Sequence, residues 1–264
     1  VLALRTLLGK ELLEVARNRA ALIPVVAATL VFLVMPVVVT VIIPSVSHHH
    51  LGADADLVKV SAAVGLHEHL SADGRVQLFL FQQFLMVFLL MPITGAMALA
   101  AHTIVSEKQA RTLEPLLATP IATSELLVAK VLGALLPTLF ISGAGLMAYA
   151  AVIAIAAEPG VIRAMLTGRT MMLIFGIGPT SALLSLQLAI IVSSRVNDAR
   201  TAQQFGVLLV LPLTALLVAQ FTGSFWLSAT ALGLISVGLF AAWMVLVAIS
   251  VTLFDREAIL TRWK

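Results

Sequence analysis

Six apolar runs separated by short polar stretches decide what this chain can fold into: Ala21–Pro44, Val76–Val105, Leu126–Ala157, Thr170–Ser193, Phe205–Phe221 and Trp226–Phe254. A helix needs about 20 apolar residues to cross a hydrocarbon core about 30 Å thick. All but the fifth run meet this length. The fifth ends in Gln220-Phe221-Thr222-Gly223-Ser224, which predicts a re-entrant or interfacial turn. Such backbone is tolerated at membrane depth only where protein or a wet cavity covers it. Composition agrees with the runs. Charged residues make up 11% of the chain and hydrophobic residues 61%, against about 25% and 45–50% in soluble domains. The expected fold class is an all-α integral membrane protein with six transmembrane helices, forming a single membrane domain over residues 1–264 with no separate soluble domain.

Orientation follows from Lys and Arg. With the N-terminus inside, Arg5, Lys10, Arg17, Arg19, Lys108, Arg111, Lys130, Arg195, Arg200, Arg256, Arg262 and Lys264 fall on inner segments. Only Lys59, Arg75, Arg163 and Arg169 fall outside. The positive-inside bias then places both termini in the cytoplasm and favours an even number of spans. Residues 1–20 form an element of their own. Leu4, Leu8, Leu12 and Val15 recur at helical spacing, Arg5, Lys10, Glu14 and Arg17 fall mainly elsewhere on the wheel, and Lys10 and Glu14 can pair at i,i+4. This predicts an amphipathic helix lying along the inner membrane surface. A short basic segment does not precede the first apolar run, so no cleavable signal peptide is expected.

The absences narrow the chemistry. No Asp or Glu lies at mid-membrane, where ion-coupled transporters usually place one. Lys130 is the one charged residue within an apolar run, near its inner end, and His102 lies near the inner end of the second run. Phosphate-loop, zinc-protease and nucleophile-elbow motifs are missing, so the chain is not expected to be an enzyme, and any ATP must be bound by another polypeptide. Cysteine is absent. Gln82, Gln83 and Gln187 lie within apolar runs, where interhelical hydrogen bonding is the default. The outer loop Ser45–Arg75 carries His48, His49, His50, His67 and His69 beside several carboxylates. Imidazole binds zinc, copper and nickel. However, three consecutive histidines and a pair two apart are not a dedicated ligand spacing, and a solvated polar loop is the expected reading.

The loop after the second run reads Ser106-Glu107-Lys108-Gln109-Ala110-Arg111-Thr112-Leu113-Glu114-Pro115-Leu116-Leu117-Ala118-Thr119-Pro120. It predicts a short helix with a charged side and an apolar patch of Leu113, Leu116 and Leu117, stopped at Thr119-Pro120. Ser124 before Glu125 is a plausible cap for the third span. A rigid knob between two spans suits docking into a groove on a soluble partner. This stretch resembles the signature of ATP-binding-cassette type-2 permeases through Glu107, Thr112, Leu113, Glu114, Leu116, Leu117, Thr119, Pro120, Glu125 and Lys130. It departs at Arg111, where that family usually has glycine. The run Ser194-Arg195-Val196-Asn197-Asp198-Ala199-Arg200-Thr201-Ala202-Gln203-Gln204 is similar to a second stretch of the same family, before the fifth span.

The resemblance implies a half-transporter. Two permease copies, expected as a homodimer, would form the pathway in the cytoplasmic membrane of a prokaryote. Two copies of a cassette ATPase would bind ATP and magnesium below them, with no cofactor in this chain and no nucleic-acid partner. Glu107, Arg111, Thr112, Leu113, Glu114, Leu116 and Leu117 would belong to the ATPase-coupling helix, with Arg195 and Arg200 as a possible second cytoplasmic contact. The N-terminal segment would be a connecting helix, and Gln220–Ser224 would match an outer re-entrant region. Export is the expected direction. The rival readings are a membrane sensor or assembly scaffold that transports nothing, and a metal or ion efflux permease using the histidine loop.

Overall fold

The computed structural model describes residues 2–48, 50–62, 69–109, 123–196, 201, 204, 211–212, 215, 218–220 and 227–253. Among the described residues there is no strand, and five helical stretches are long and apolar enough to cross a membrane. These are Ala21–Ser47, Ala72–Thr103, Glu125–Ala156, Gly168–Ser193 and Ala229–Val251. The expected fifth span falls almost wholly outside the described residues.

Helix α1 (Leu2–Arg17) is followed after one residue by α2 (Arg19–Val37). The joint is Asn18, whose side chain accepts from the Ala21 amide at 3.1 Å and so starts the new helix. A π-helical segment, Val38–Ile42, then leads into α3 (Ile43–Ser47). Two prolines bracket that segment. Pro36 and Pro44 carry no N–H, which removes two bonds from the α ladder. The Thr40 hydroxyl answers the Pro36 carbonyl at 2.6 Å. Helix therefore continues past Pro44, where the sequence pattern stops the span, because proline is accommodated in the first turn of α3.

The described part of the outer loop carries more helix than its polarity suggests. It contains α4 (Ala55–Ser61), capped by the Asp54 carboxylate on the Asp56 and Leu57 amides. Its last residues already belong to α5 (Ala72–Phe88), capped by Ser71. Helix α6 (Leu90–Gln109) continues α5 after a break at Leu89, and α7 (Thr123–Ala156) carries the next span. Because α7 already includes Thr123, Ser124 lies within its first turn and is not its cap. Short helices α8 (Val161–Met165) and α9 (Gly168–Met171) lead through a second π-helical segment, Met172–Ile177, into α10 (Gly178–Arg195). Helix α11 (Ala229–Leu253) is the last described span.

The helix ends gather at two levels. Arg19, Gln109, Thr123 and Arg195 mark the near end, and Ser47, Ala72, Ala156 and Gly168 the far end. The core is divided accordingly. Val15, Met97, Leu127, Leu135, Leu186 and Ile190 pack α1, α6, α7 and α10 together in the near half. Phe81, Leu85, Tyr149, Ile153, Leu173 and Leu232 do the same for α5, α7, the second π segment and α11 in the far half. The Tyr149 hydroxyl donates to the Phe81 carbonyl at 2.8 Å, so the buried phenol ties α7 to α5.

Candidate functional site

At the near end α1 lies against the start of α7. Its buried line is Leu7, Glu11 and Val15, with Leu8 and Leu12 half-buried beside it. Glu11 is the centre of that line, where a carboxylate has no business unless something answers it. Lys130 of α7 does so: its Nζ stands 3.3 Å from Glu11 Oε1, with Glu11 1% and Lys130 3% exposed. Lys10 bridges Glu11 and Glu14, both at 3.5 Å, so the anticipated i,i+4 pair forms and extends to the buried carboxylate. The two helices touch closely here. A Cβ added at Gly133 would lie 2.5 Å from the Glu11 Cβ, so only glycine permits this approach. The lysine that stood out inside an apolar run therefore has its counter-charge in α1. The signal for Glu11 was its spacing, three residues after Leu8 and four before Val15.

Sequence counted Arg169 among the charges of the outer segments, and the structure buries it. Arg169 is 8% exposed, in α9 at the far end. Its Nε donates to the Leu227 carbonyl at 3.1 Å, Nη1 to Gln82 Oε1 at 3.0 Å and Nη2 to Gln220 Oε1 at 2.9 Å. Nη2 also stands 3.8 Å from the Met86 sulfur. The planar guanidinium suits this role because its five N–H groups point in fixed, divergent directions. One side chain thus gathers α5, α9, Gln220 and the approach to α11. Of the three glutamines expected to bond between helices, Gln82 does so here and Gln187 does so with Ser250 of α11. Gln83 is fully buried, and neither end of its amide has a hydrogen-bond partner.

The far end also carries a polar cleft of about 350 Å³ walled by His48, His50, Asp73, Gln77 and Glu158. Asp73 accepts from the Gly52 amide and faces His50 Nδ1 at 3.0 Å. Glu158 accepts from Ser71, and its amide donates to Gln77 at 2.9 Å. These carboxylates brace the loop against α5. His48 takes a left-handed conformation at the end of α3 (φ 54°), and His69 is exposed in a turn. His49 and His67 lie outside the described residues. Among the described residues no three His, Asp or Glu side chains gather as a metal would require.

Of the residues assigned to the coupling loop, Glu107 falls on the last turn of α6. Arg111, Thr112, Leu113, Glu114, Leu116 and Leu117 lie outside the described residues. Arg195 is the last residue of α10, and Arg200 lies outside the described residues. Backbone placement therefore brings Glu107, the start of α7 and Arg195 to the same end as α1.

Residues 5–257 match the family described as ABC-2 family transporter protein. The chain belongs to that family. It is a multi-pass membrane permease, as the loop motif and the apolar runs implied. No curated protein and no solved structure matches the permease.

Proposed function

We propose that this permease is the membrane half of an ATP-driven exporter, paired with a separate cassette ATPase that binds ATP and magnesium. The match to the ABC-2 transporter family across residues 5–257 carries this reading. The chain has no phosphate loop of its own, so the energy must arrive through contact. The contact we assign is the near end. There Glu107 closes α6, α7 begins at Thr123, Arg195 closes α10 and α1 lies alongside. The loop between α6 and α7, with Arg111, Thr112, Leu113, Glu114, Leu116 and Leu117, would be pushed as one body by the ATPase. Arg195 and Arg200 would form a second contact. This end then faces the cytoplasm, both termini are cytoplasmic, and α1 is the connecting helix at the membrane surface.

A sixth crossing within residues 205–221 belongs to this reading. Ser193 lies near one end and Leu227 at the other, and Gln220 already meets Arg169 at the far end. Two copies of the permease, as a homodimer, would line the export pathway.

The test is Glu114→Arg in the assembled transporter. Removing one member of a desolvated charge pair costs about 2–5 kcal/mol at an interface, whereas a solvated rim charge is worth about 0–1 kcal/mol. The expected outcome is normal membrane insertion with lost co-purification of the ATPase and lost transport. Normal complex formation and transport would remove Glu114 from the coupling surface.

A further inference from the structure

Helix α1 has a second, exposed side. Its inner line, Leu7, Glu11 and Val15, is spent on α7. On the opposite side a ridge runs in steps of four through Arg5, Gly9, Leu13 and Arg17, with Ala16 beside Leu13, and all five residues are exposed. A cation therefore stands at each end of the ridge, about 18 Å apart along the helix axis. Leu13, 53% exposed, lies between them. Arg19 follows at the start of α2 and is exposed as well. Among the described residues no carboxylate pairs with Arg5, Arg17 or Arg19. The two carboxylates of α1 are already engaged, Glu11 by Lys130 and Lys10, and Glu14 by Lys10.

The neighbours of α1 set the depth of this ridge. Glu11 meets Lys130 and Gly133, which lie in the first three turns of the span Glu125–Ala156. That span has 32 residues, and about 20 suffice to cross the hydrocarbon, so its first turns reach into the headgroup layer. Asn18 alone separates α1 from α2, whose span opens at Ala21. We propose that the ridge is a docking site for the anionic phospholipids of the adjoining leaflet, with Arg5, Arg17 and Arg19 on their phosphates and Leu13 in the edge of the hydrocarbon. This role rests on the place of α1 at the membrane surface, given above, and adds what the helix holds there. Charge and polarity together select the partner. The guanidinium fork matches the oxygens of a phosphate, and the long arginine stem lets the charge rise to the headgroups while the helix stays lower. Water would satisfy the arginines and leave Leu13 bare. The bilayer edge, where phosphate and hydrocarbon adjoin, answers both.

The chain has no cysteine, so Leu13→Cys gives the full-length permease a single thiol for an environment-sensitive fluorophore. In phosphatidylcholine nanodiscs, its quenching is compared between nitroxide-labelled phosphatidylglycerol and nitroxide-labelled phosphatidylcholine at equal mole fraction, with aqueous iodide as the quencher from the water side. The anionic lipid should quench more strongly. In about 1 M salt, where charges are screened within about 3 Å, most of that preference should vanish. Arg5→Gln and Arg17→Gln should each lower the preference about five-fold, the effect of one basic residue near an anionic surface. Adding Arg19→Gln to the pair should leave none. Lys59→Gln, in α4 at the far end, should change nothing. The fluorophore at Ala16→Cys should give the same ranking, which separates the result from the loss of Leu13. Equal quenching by the two lipids would overturn the proposal and leave α1 at the membrane surface. Quenching by iodide and by neither lipid would lift α1 off the bilayer, and the surface placement would fall with the proposal. Quenching by none of the three would mean that a second copy of the chain covers the ridge, and would overturn the proposal as well.

Discussion

Two buried cations hold the two ends of the bundle, and they do so differently. Lys130 at the near end meets a carboxylate, Glu11, and joins α7 to α1. Arg169 at the far end reaches three neutral oxygens on three other parts of the chain, from Gln82, Gln220 and Leu227. The ammonium is a compact point charge that rewards one strong opposite charge. The guanidinium is a rigid fork that rewards many separate acceptors. The near end is thus a two-body clamp whose strength depends on charge, and the far end a multi-body junction whose strength depends on direction. A helix attached by a clamp can be released by one event. A junction comes apart only when several elements move together. Under the proposed function, this suits a near end that would receive the push of the ATPase and a far end that keeps its shape.

The largest effect should come from the junction. Arg169→Met strands two glutamine carbonyls and a backbone carbonyl, each worth about 1–3 kcal/mol when buried without a donor. The expected loss is about 4 kcal/mol, read as a lowered Tm of the purified permease in detergent. Arg169→Lys should recover less than half of it, because one ammonium cannot span three divergent acceptors. Full recovery by lysine would show that charge, and not direction, holds the far end, and the contrast with Lys130 would collapse.

Breaking the clamp should cost less. Lys130→Met leaves the buried Glu11 with only the half-exposed Lys10 at 3.5 Å, and such broken pairs lose about 3 kcal/mol. Adding Glu11→Leu should restore most of the stability, since an apolar pair of similar size is often as stable as a buried ion pair. Additive losses in the two variants would mean that they are not coupled. The smallest effect belongs to Gln83, whose amide makes no hydrogen bond in the far half. Gln83→Leu should leave the Tm unchanged or raise stability by up to about 1 kcal/mol. A clear loss would assign Gln83 to the polar junction and enlarge it.

The five described spans were legible because lipid imposes a length and an apolar composition that no tertiary contact can waive. Lys130 was visible as an anomaly for the same reason. Its partner was harder to see. The eye follows Leu4, Leu8, Leu12 and Val15, while the buried line of α1 runs through Leu7, Glu11 and Val15. Which of two adjacent stripes faces inward is decided by α7, and α1 alone does not record it. The burial of Arg169 was not legible because it sits one residue before an apolar run, where an arginine can turn to water or to protein with equal ease. Its burial depends on Gln82, eighty-seven residues earlier in the chain, and on Gln220, fifty-one residues later. The π-helical segments were not read at all. Pro36, Pro44 and Pro179 were their sequence mark, because each removes a donor from the regular ladder.

The segment Met172–Ile177 takes up one extra residue between the two halves of one span. Each residue of an α-helix turns the wheel by about 100°, and a π turn holds one residue more than an α turn. Above it, the wheel points Arg169 at Gln82. Below it, the wheel points Ala182, Leu186 and Ala189 at the near core. Deleting a single residue from the segment would restore a regular turn and leave the two halves facing as they do now. The same deletion in the regular helix of α10 would turn one half against the other by about 100°, so that the guanidinium and the small-residue face could no longer both find their neighbours. The segment works as slack in a thread, the one stretch of this span where a residue can be taken up without unseating either end.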